Sequence, residues 1–248
     1  MENTTMENTR TKTTRNSLIL LLTAAIWGMA FVSQSKGMDY MHPFTFNGVR
    51  SLIGAASILV YILISRKIAG DKAAPLDWKL NVKAGLLCGI FLTIASTLQQ
   101  FGIKYTSVGK AGFITTLYII FVPMFGIFLK KKVAPVVWAA AVMAAVGMYL
   151  LCMTESLRLG AGDIMVFLCA IAFAIQIMTV DHYATRIDGA VVSCIQFTVC
   201  GVVCCIGALI WGQPTFGQLQ EGLGALLYAG VLSCGVGYTC LLYTSPSP

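Results

Sequence analysis

Eight predominantly apolar runs of about 20 residues follow one another along this 248-residue chain, joined by short polar connections. A helix of that length, rising about 1.5 Å per residue, covers a hydrocarbon core of about 30 Å. The approximate runs are Ser17–Ser35, Pro43–Ile64, Ala84–Ile103, Ala111–Leu129, Val133–Met153, Ile164–Val180, Ala190–Trp211 and Leu223–Leu242. In lipid each must be a helix, because the segment's own ladder then satisfies its backbone groups. The expected fold class is an all-α polytopic membrane protein with eight transmembrane helices. Composition agrees. Hydrophobic residues make up 57% of the chain and charged residues 11%, against about 25% charged in a soluble domain, and the mean hydropathy is +0.80. A disordered chain, a nucleic-acid-binding domain and nearly every soluble enzyme class are excluded on this ground.

Residues 1–16 are polar, rich in Thr and Asn, and read as a solvated tail carrying Arg10, Lys12 and Arg15. The first apolar run is longer than the core of a signal peptide and more spans follow it, so an uncleaved helix is expected. The net charge of +7 fits cationic cytoplasmic loops. With the N-terminus cytoplasmic, that side holds Arg10, Lys12, Arg15, Arg66, Lys67, Lys72, Lys79, Lys83, Lys130, Lys131, Lys132 and Arg186. The other side holds Lys36, Lys104, Lys110 and Arg158. The bias favours an N-terminus inside. The nine Cys lie almost wholly in apolar runs with no Cys-x-x-Cys spacing. Cys200 and Cys204 share a helix face, yet packing explains them better than a metal, and no metal or cofactor is expected.

The chain also repeats itself. At an offset of 146 residues, Ala24–Gly28 falls on Ala170–Ala174 and Arg50 on Gln196; at an offset of 141, Gly89 falls on Gly230 and Gln99 on Cys240. A first unit over 17–153 holds five runs. Five is odd, so a second unit over 160–248 enters the membrane inverted, and inverted units suggest a transporter with its path between them. The second unit has three runs where the first has five, and Leu241–Pro248 breaks the helical pattern, so a truncated second unit is expected.

Several short elements, in this order, carry a resemblance. Ala25-Ile26-Trp27-Gly28 opens the first run, and Pro43 precedes Arg50 by seven residues in the second. Tyr105-Thr106-Ser107-Val108-Gly109 joins the third and fourth, Pro123 lies in the fourth, and Gly160-Ala161-Gly162-Asp163 opens the second unit. Over about Leu18 to Tyr238 the chain resembles the EamA-type, ten-helix branch of the drug/metabolite transporter superfamily. The resemblance implies a bacterial inner (plasma) membrane permease for a small metabolite, an amino acid or a drug. It departs in two places: where many members have Gly-Glu after the fourth helix, this chain has Lys130-Lys131-Lys132, and the family's last two helices are not in this sequence.

Candidate site residues follow from polarity inside apolar runs. Arg50 lies about 10 Å below the start of its helix, where a charge costs about 2.5–3.5 kcal/mol on insertion scales. It either attracts an anionic group on a substrate or snorkels to headgroups and backbone carbonyls. Gln34, Gln99, Gln100, Gln176 and Gln196 either line a polar path or join helices. Trp27 and Tyr118, with Phe173, either shape a wall or simply pack. Pro123 removes one backbone bond and makes a hinge or a static bend. No Asp or Glu lies deep inside a run, so these helices are expected to lack a carboxylate proton relay.

Two other classes compete with this reading. Gly160-Ala161-Gly162-Asp163 matches the Gly-x-Gly-Asp string of intramembrane aspartyl proteases, but that chemistry needs a second carboxylate and Asp163 stands where a helix cap belongs. A non-transporting scaffold has no need of a repeat. The expected reading is thus not an enzyme. It is a permease working by alternating access, with the bilayer and a small solute as partners, a homodimer allowed and nucleic acid excluded.

Overall fold

The computed structural model describes residues 2–70, 76–128, 135–152 and 160–240. Among the described residues there is no strand. Helix α1 spans Glu2–Gly37, α2 Pro43–Ala69, α3 Trp78–Tyr105, α4 Val108–Thr116, α5 Tyr118–Phe128, α6 Pro135–Cys152, α7 Ala161–Tyr183 and α8 Gly189–Gly207. Helix α9 is Phe216–Glu221 and α10 is Leu223–Leu227. Two segments are wound as π-helix: Ala208–Gly212 prolongs α8, and Tyr228–Gly237 prolongs α10.

Among the described residues, seven helical stretches are long and apolar enough to cross a membrane. The eighth expected crossing, Val133–Met153, falls on α6, whose apolar stretch Pro135–Gly147 is shorter than a full crossing. The tail is also different from its expectation. Helix α1 starts at Glu2 and continues into the apolar stretch Thr14–Gly37, because no Gly or Pro interrupts residues 2–27. The fourth run is broken into α4 and α5 at Leu117, whose N–H bonds to Ile114 O, a tighter turn than the α-helical one.

The helix starts are written in the connections. Pro43 occupies the first turn of α2 behind His42. Asp77 caps α3 through Leu80 N, Ser107 caps α4 through Lys110 N, and Asp188 caps α8 through Ala190 N and Val191 N. Asp163, in the first turn of α7, reaches back to Gly160 N.

The bundle is turned outward compared with a water-soluble one. Large aliphatic side chains such as Leu63, Ile64, Ile68, Val203 and Leu209 are exposed, while Ala55, Ala84, Ala95, Ala170 and Cys200 are buried. Lipid removes the hydrophobic drive between helices, so association rests on close packing of small residues and on interhelical hydrogen bonds. Helix α3 packs chiefly on α7 and α8, and α2 on α8 and the π-helical part of α10; α1 also meets that last segment. Backbones meet where α3 crosses α7. A Cβ on Gly102 would stand 2.9 Å from Gly162 O, and one on Gly162 would stand 2.8 Å from Gly102 O.

Candidate functional site

A chain of buried polar side chains runs through the middle of the bundle. Arg50 on α2, 6% exposed, donates from Nε to Asn47 Oδ1 at 2.9 Å, one turn earlier on the same helix. Asn47 in turn donates from Nδ2 to Ser96 Oγ on α3 at 3.0 Å and to Cys204 Sγ on α8 at 3.2 Å. Ser51 and Ser96 both contact Cys200 Sγ, at 3.5 and 3.3 Å. Three helices are thus joined through one neutral amide with every strong donor on it used. The guanidinium also lies over the Phe46 ring, 5.7 Å from its centroid.

The expected glutamines fall into separate bridges around this centre. Gln99 donates to Thr115 Oγ1 at 3.3 Å, tying α3 to α4. Gln176 donates to Gln196 Oε1 at 2.9 Å, tying α7 to α8. Gln100 donates to the backbone oxygen of Gln34 at 3.2 Å, tying α3 to α1, and the side-chain oxygens of both residues are buried without a hydrogen bond. Trp27 donates to Ser233 O at 3.2 Å, and its ring packs on Tyr238 at 5.6 Å. Tyr238 in turn meets Phe197 edge-on at 4.7 Å. Tyr118, half-buried, starts α5 just after the break at Leu117, and Pro123 lies inside α5. An open groove of about 360 Å3 lies elsewhere, between α1 and the α9–α10 region, with Lys36, Tyr40, Glu221 and Tyr228 on its walls.

Each end of the bundle is fastened by a carboxylate at the start of a helix. At the end where α2 finishes and α3 starts, Asp188 caps α8, accepts from Arg66 Nη2 at 3.3 Å and gives its own N–H to buried Asn81 Oδ1 at 2.8 Å. At the end where α3 finishes, Asp163 accepts from Gly160 N at 2.9 Å and from the Thr106 hydroxyl, with Lys110 Nζ 3.9 Å away. Arg66, Gly160 N, the Thr106 hydroxyl and Lys110 all present donors to the carboxylates, while Asn81 accepts from Asp188 N. Both fastenings join residues before position 153 to residues after 160. Asn47, Ser96, Cys200, Cys204 and Asn81 were not among the expected site residues. Asn47 lies one turn before Arg50, and that spacing is the signal a sequence holds for it.

His42, at the N-terminal end of α2, accepts weakly from Phe44 N at 3.4 Å and packs against Phe101. Burial, then the nearby charge of Lys104, lowers its pKa below the usual 6.5.

The comparisons with known proteins agree with one another. The model of the EamA-like transporter family matches residues 15–153 and again 160–245. A protein of Archaeoglobus fulgidus is 31% identical over 171 residues, 66% of this chain and 48% of that protein, so the match spans about half its length. A protein of Clostridium kluyveri is 27% identical over 241 residues, covering 91% of this chain and 75% of the relative. The Bacillus subtilis protein YwfM is 26% identical over 231 residues, covering 92% and 74%. All three are named as uncharacterised transporters. One solved crystal structure superposes with a TM-score of 0.66 at 18% identity, over 95% of this chain and 81% of that one. That likeness concerns the fold alone.

Proposed function

Since this chain belongs to the EamA-like transporter family, we propose that it is a permease moving a small metabolite across a bacterial inner membrane by alternating access. The moving parts are two oppositely inserted units, 17–153 and 160–248, with the N-terminus on the cytoplasmic side. The observation that carries this reading is a pair of reciprocal contacts. A Cβ on Gly89 would meet Val199 Cβ at 2.8 Å and Gln196 Cα at 3.2 Å. A Cβ on Gly230 would meet Ile53 Cβ at 2.7 Å and Arg50 O at 3.0 Å. Gly89 corresponds to Gly230 in the repeat, Gln196 to Arg50 and Val199 to Ile53. Each glycine of one unit therefore seats against the matching turn of the other, as a pseudo-twofold axis requires.

The packing pattern supports the same axis. Exchanging the two units turns the α3–α8 contact into that of the α10 extension with α2, and the α3–α7 contact into that of the α10 extension with α1; all four occur. Rocking about this axis has two natural stops, the Asp188 fastening at one end and the Asp163 fastening at the other. Trp27, Gln34, Arg50, Gln99, Gln100, Tyr118, Gln176 and Gln196 lie between those ends and are the residues we assign to the path. Pro123 and the break at Leu117 are the bending points we assign to the fourth crossing.

Single cysteines placed beside each fastening in a cysteine-free background test this reading. Asp188→Ala is expected to raise labelling at its own end and lower it at the other, and Asp163→Ala to do the reverse. If both ends opened together in either variant, alternating access would be refuted.

A further inference from the structure

Arg50 is held without the partner its charge calls for. Among the described residues the carboxylate ion pairs are Arg66 with Asp188 and Lys110 with Asp163, both at the ends of the bundle. Arg50 lies between them, buried, with Nε given to a neutral amide and Phe46 beneath it. Asn47 is itself fixed by Ser96 and Cys204, so the guanidinium is oriented rather than neutralised. A guanidinium has five N–H donors in a planar fork, and one is used here. The remaining edge matches the two oxygens of a carboxylate.

The surroundings give the rest of the ligand its character. Asn47 and Ser51, on either side of Arg50 along α2, meet Cys200 Sγ at 3.9 and 3.5 Å, and Cys200, Cys204, Cys234 and Phe197 form one packed cluster with Tyr238 against it. Tyr238 is packed between Trp27 and Phe197. Thiols and aromatic rings make a wall that accepts apolar groups and presents no fixed negative charge. A cationic solute would meet Arg50 with nothing to offset the repulsion, while an anion both fills the fork and removes an uncompensated charge from low dielectric.

We propose that Arg50 is the receptor for an anionic group on the cargo, and that the cargo class is a small organic carboxylate with an apolar body. This rests on the permease reading and adds the sign and type of charge carried. Asn47 is a positioning residue, setting the plane of the guanidinium.

The test uses the full chain, purified in detergent, with butyrate and benzoate set against butyramide and benzamide, and with chloride and phosphate at matched ionic strength. Carboxylates are expected to raise the unfolding temperature in a saturable way, because a ligand of the folded state stabilises it. The amides and inorganic anions are expected not to. Arg50→Gln should weaken the carboxylate effect by about 10-fold or more, the scale of a charge-assisted hydrogen bond, and Arg50→Lys should retain part of it. Should Arg50→Gln fail to fold, wild-type protein treated with phenylglyoxal gives the answer. Butyrate should slow modification of the Arg50 peptide about 10-fold and leave that of Arg66 unchanged. Amides as effective as carboxylates, inorganic anions as effective as both, an undiminished effect in Arg50→Gln, or no protection of Arg50 would each overturn the proposal. Counterflow of neutral solutes in proteoliposomes separates the two levels. If such solutes move while carboxylates neither bind nor move, the permease stands and the carboxylate assignment falls.

Discussion

Replacing Asp188 takes apart one fastening in steps whose sizes can be worked out beforehand. Its Oδ1 caps α8 through Ala190 N at 3.0 Å and Val191 N at 3.2 Å, and losing such a cap costs about 1 kcal/mol, with a range of about 0.5–2. Its Oδ2 pairs with Arg66, and both side chains are more than a third exposed, so the pair adds about 0–1 kcal/mol after solvent screening. Asp188→Ala should therefore destabilise by about 0.5–3 kcal/mol. Asp188→Asn keeps an oxygen for the cap and should cost about 0–1 kcal/mol. Asn81→Ala removes the acceptor that holds Asp188 N in a part-buried bond; losing a hydrogen bond of this kind costs about 0.5–1.5 kcal/mol. A loss near 2 kcal/mol is a factor of roughly 30 in any closed-to-open equilibrium at that end. Unfolding in mixed micelles measures the stability, and cysteine accessibility beside Arg66 measures the opening. Were Asp188→Asn as damaging as Asp188→Ala, or Asn81→Ala without effect, the geometry of capping and clasping described for this end would be wrong.

Three further outcomes are expected. Gly89→Val and Gly230→Val, whose added Cβ atoms alone would meet backbone and Cβ atoms at about 3 Å, should each destabilise by about 1–3 kcal/mol through overpacking. Gly112→Ala, with nothing within 4 Å, should be neutral or slightly stabilising; equal effects at all three sites in thermal unfolding would contradict the close packing. Thr106→Val removes a donor to Asp163 and is expected to loosen the α3–α7 end while Thr106→Ser preserves it, read by cysteine labelling near Lys110. His42 has a pKa depressed by burial, so its unfolded form takes up a proton first. Stability is then full above pH 6.5 and declines as pH falls below it. His42→Asn should flatten that part of the stability–pH curve, and an unchanged slope would remove His42 from the account.

How much was legible beforehand differs by level. Apolar run length gives the spans but not their ends: α2 starts at Pro43 as expected, whereas α3 starts at Trp78, six residues before Ala84, because Asp77 caps it there. Arg50 is legible because a charge inside an apolar run has no cheap alternative to burial. Its partners are not, because Ser96 and Cys204 reach Asn47 from 49 and 157 residues away, and no local pattern encodes such a meeting. Asp163 and Asp188 read as ordinary caps. Their second role, joining two halves of the molecule, depends on where Thr106 and Asn81 arrive in space. The π-helical winding is equally hidden, since small residues permit it without requiring it.

That winding has a mechanical meaning. Between Tyr228 and Gly237 this crossing takes up more residues per turn than an α-helix does, and Gly230, Gly235 and Gly237 keep its surface narrow. Surplus backbone of this kind can be handed along a helix one position at a time. Each such step swings every side chain beyond it by about 100° and shifts it about 1.5 Å lengthwise. Tyr238 is the first residue beyond. A single slip of register would carry its ring off Trp27 and Phe197 and turn another face of the same helix toward α2.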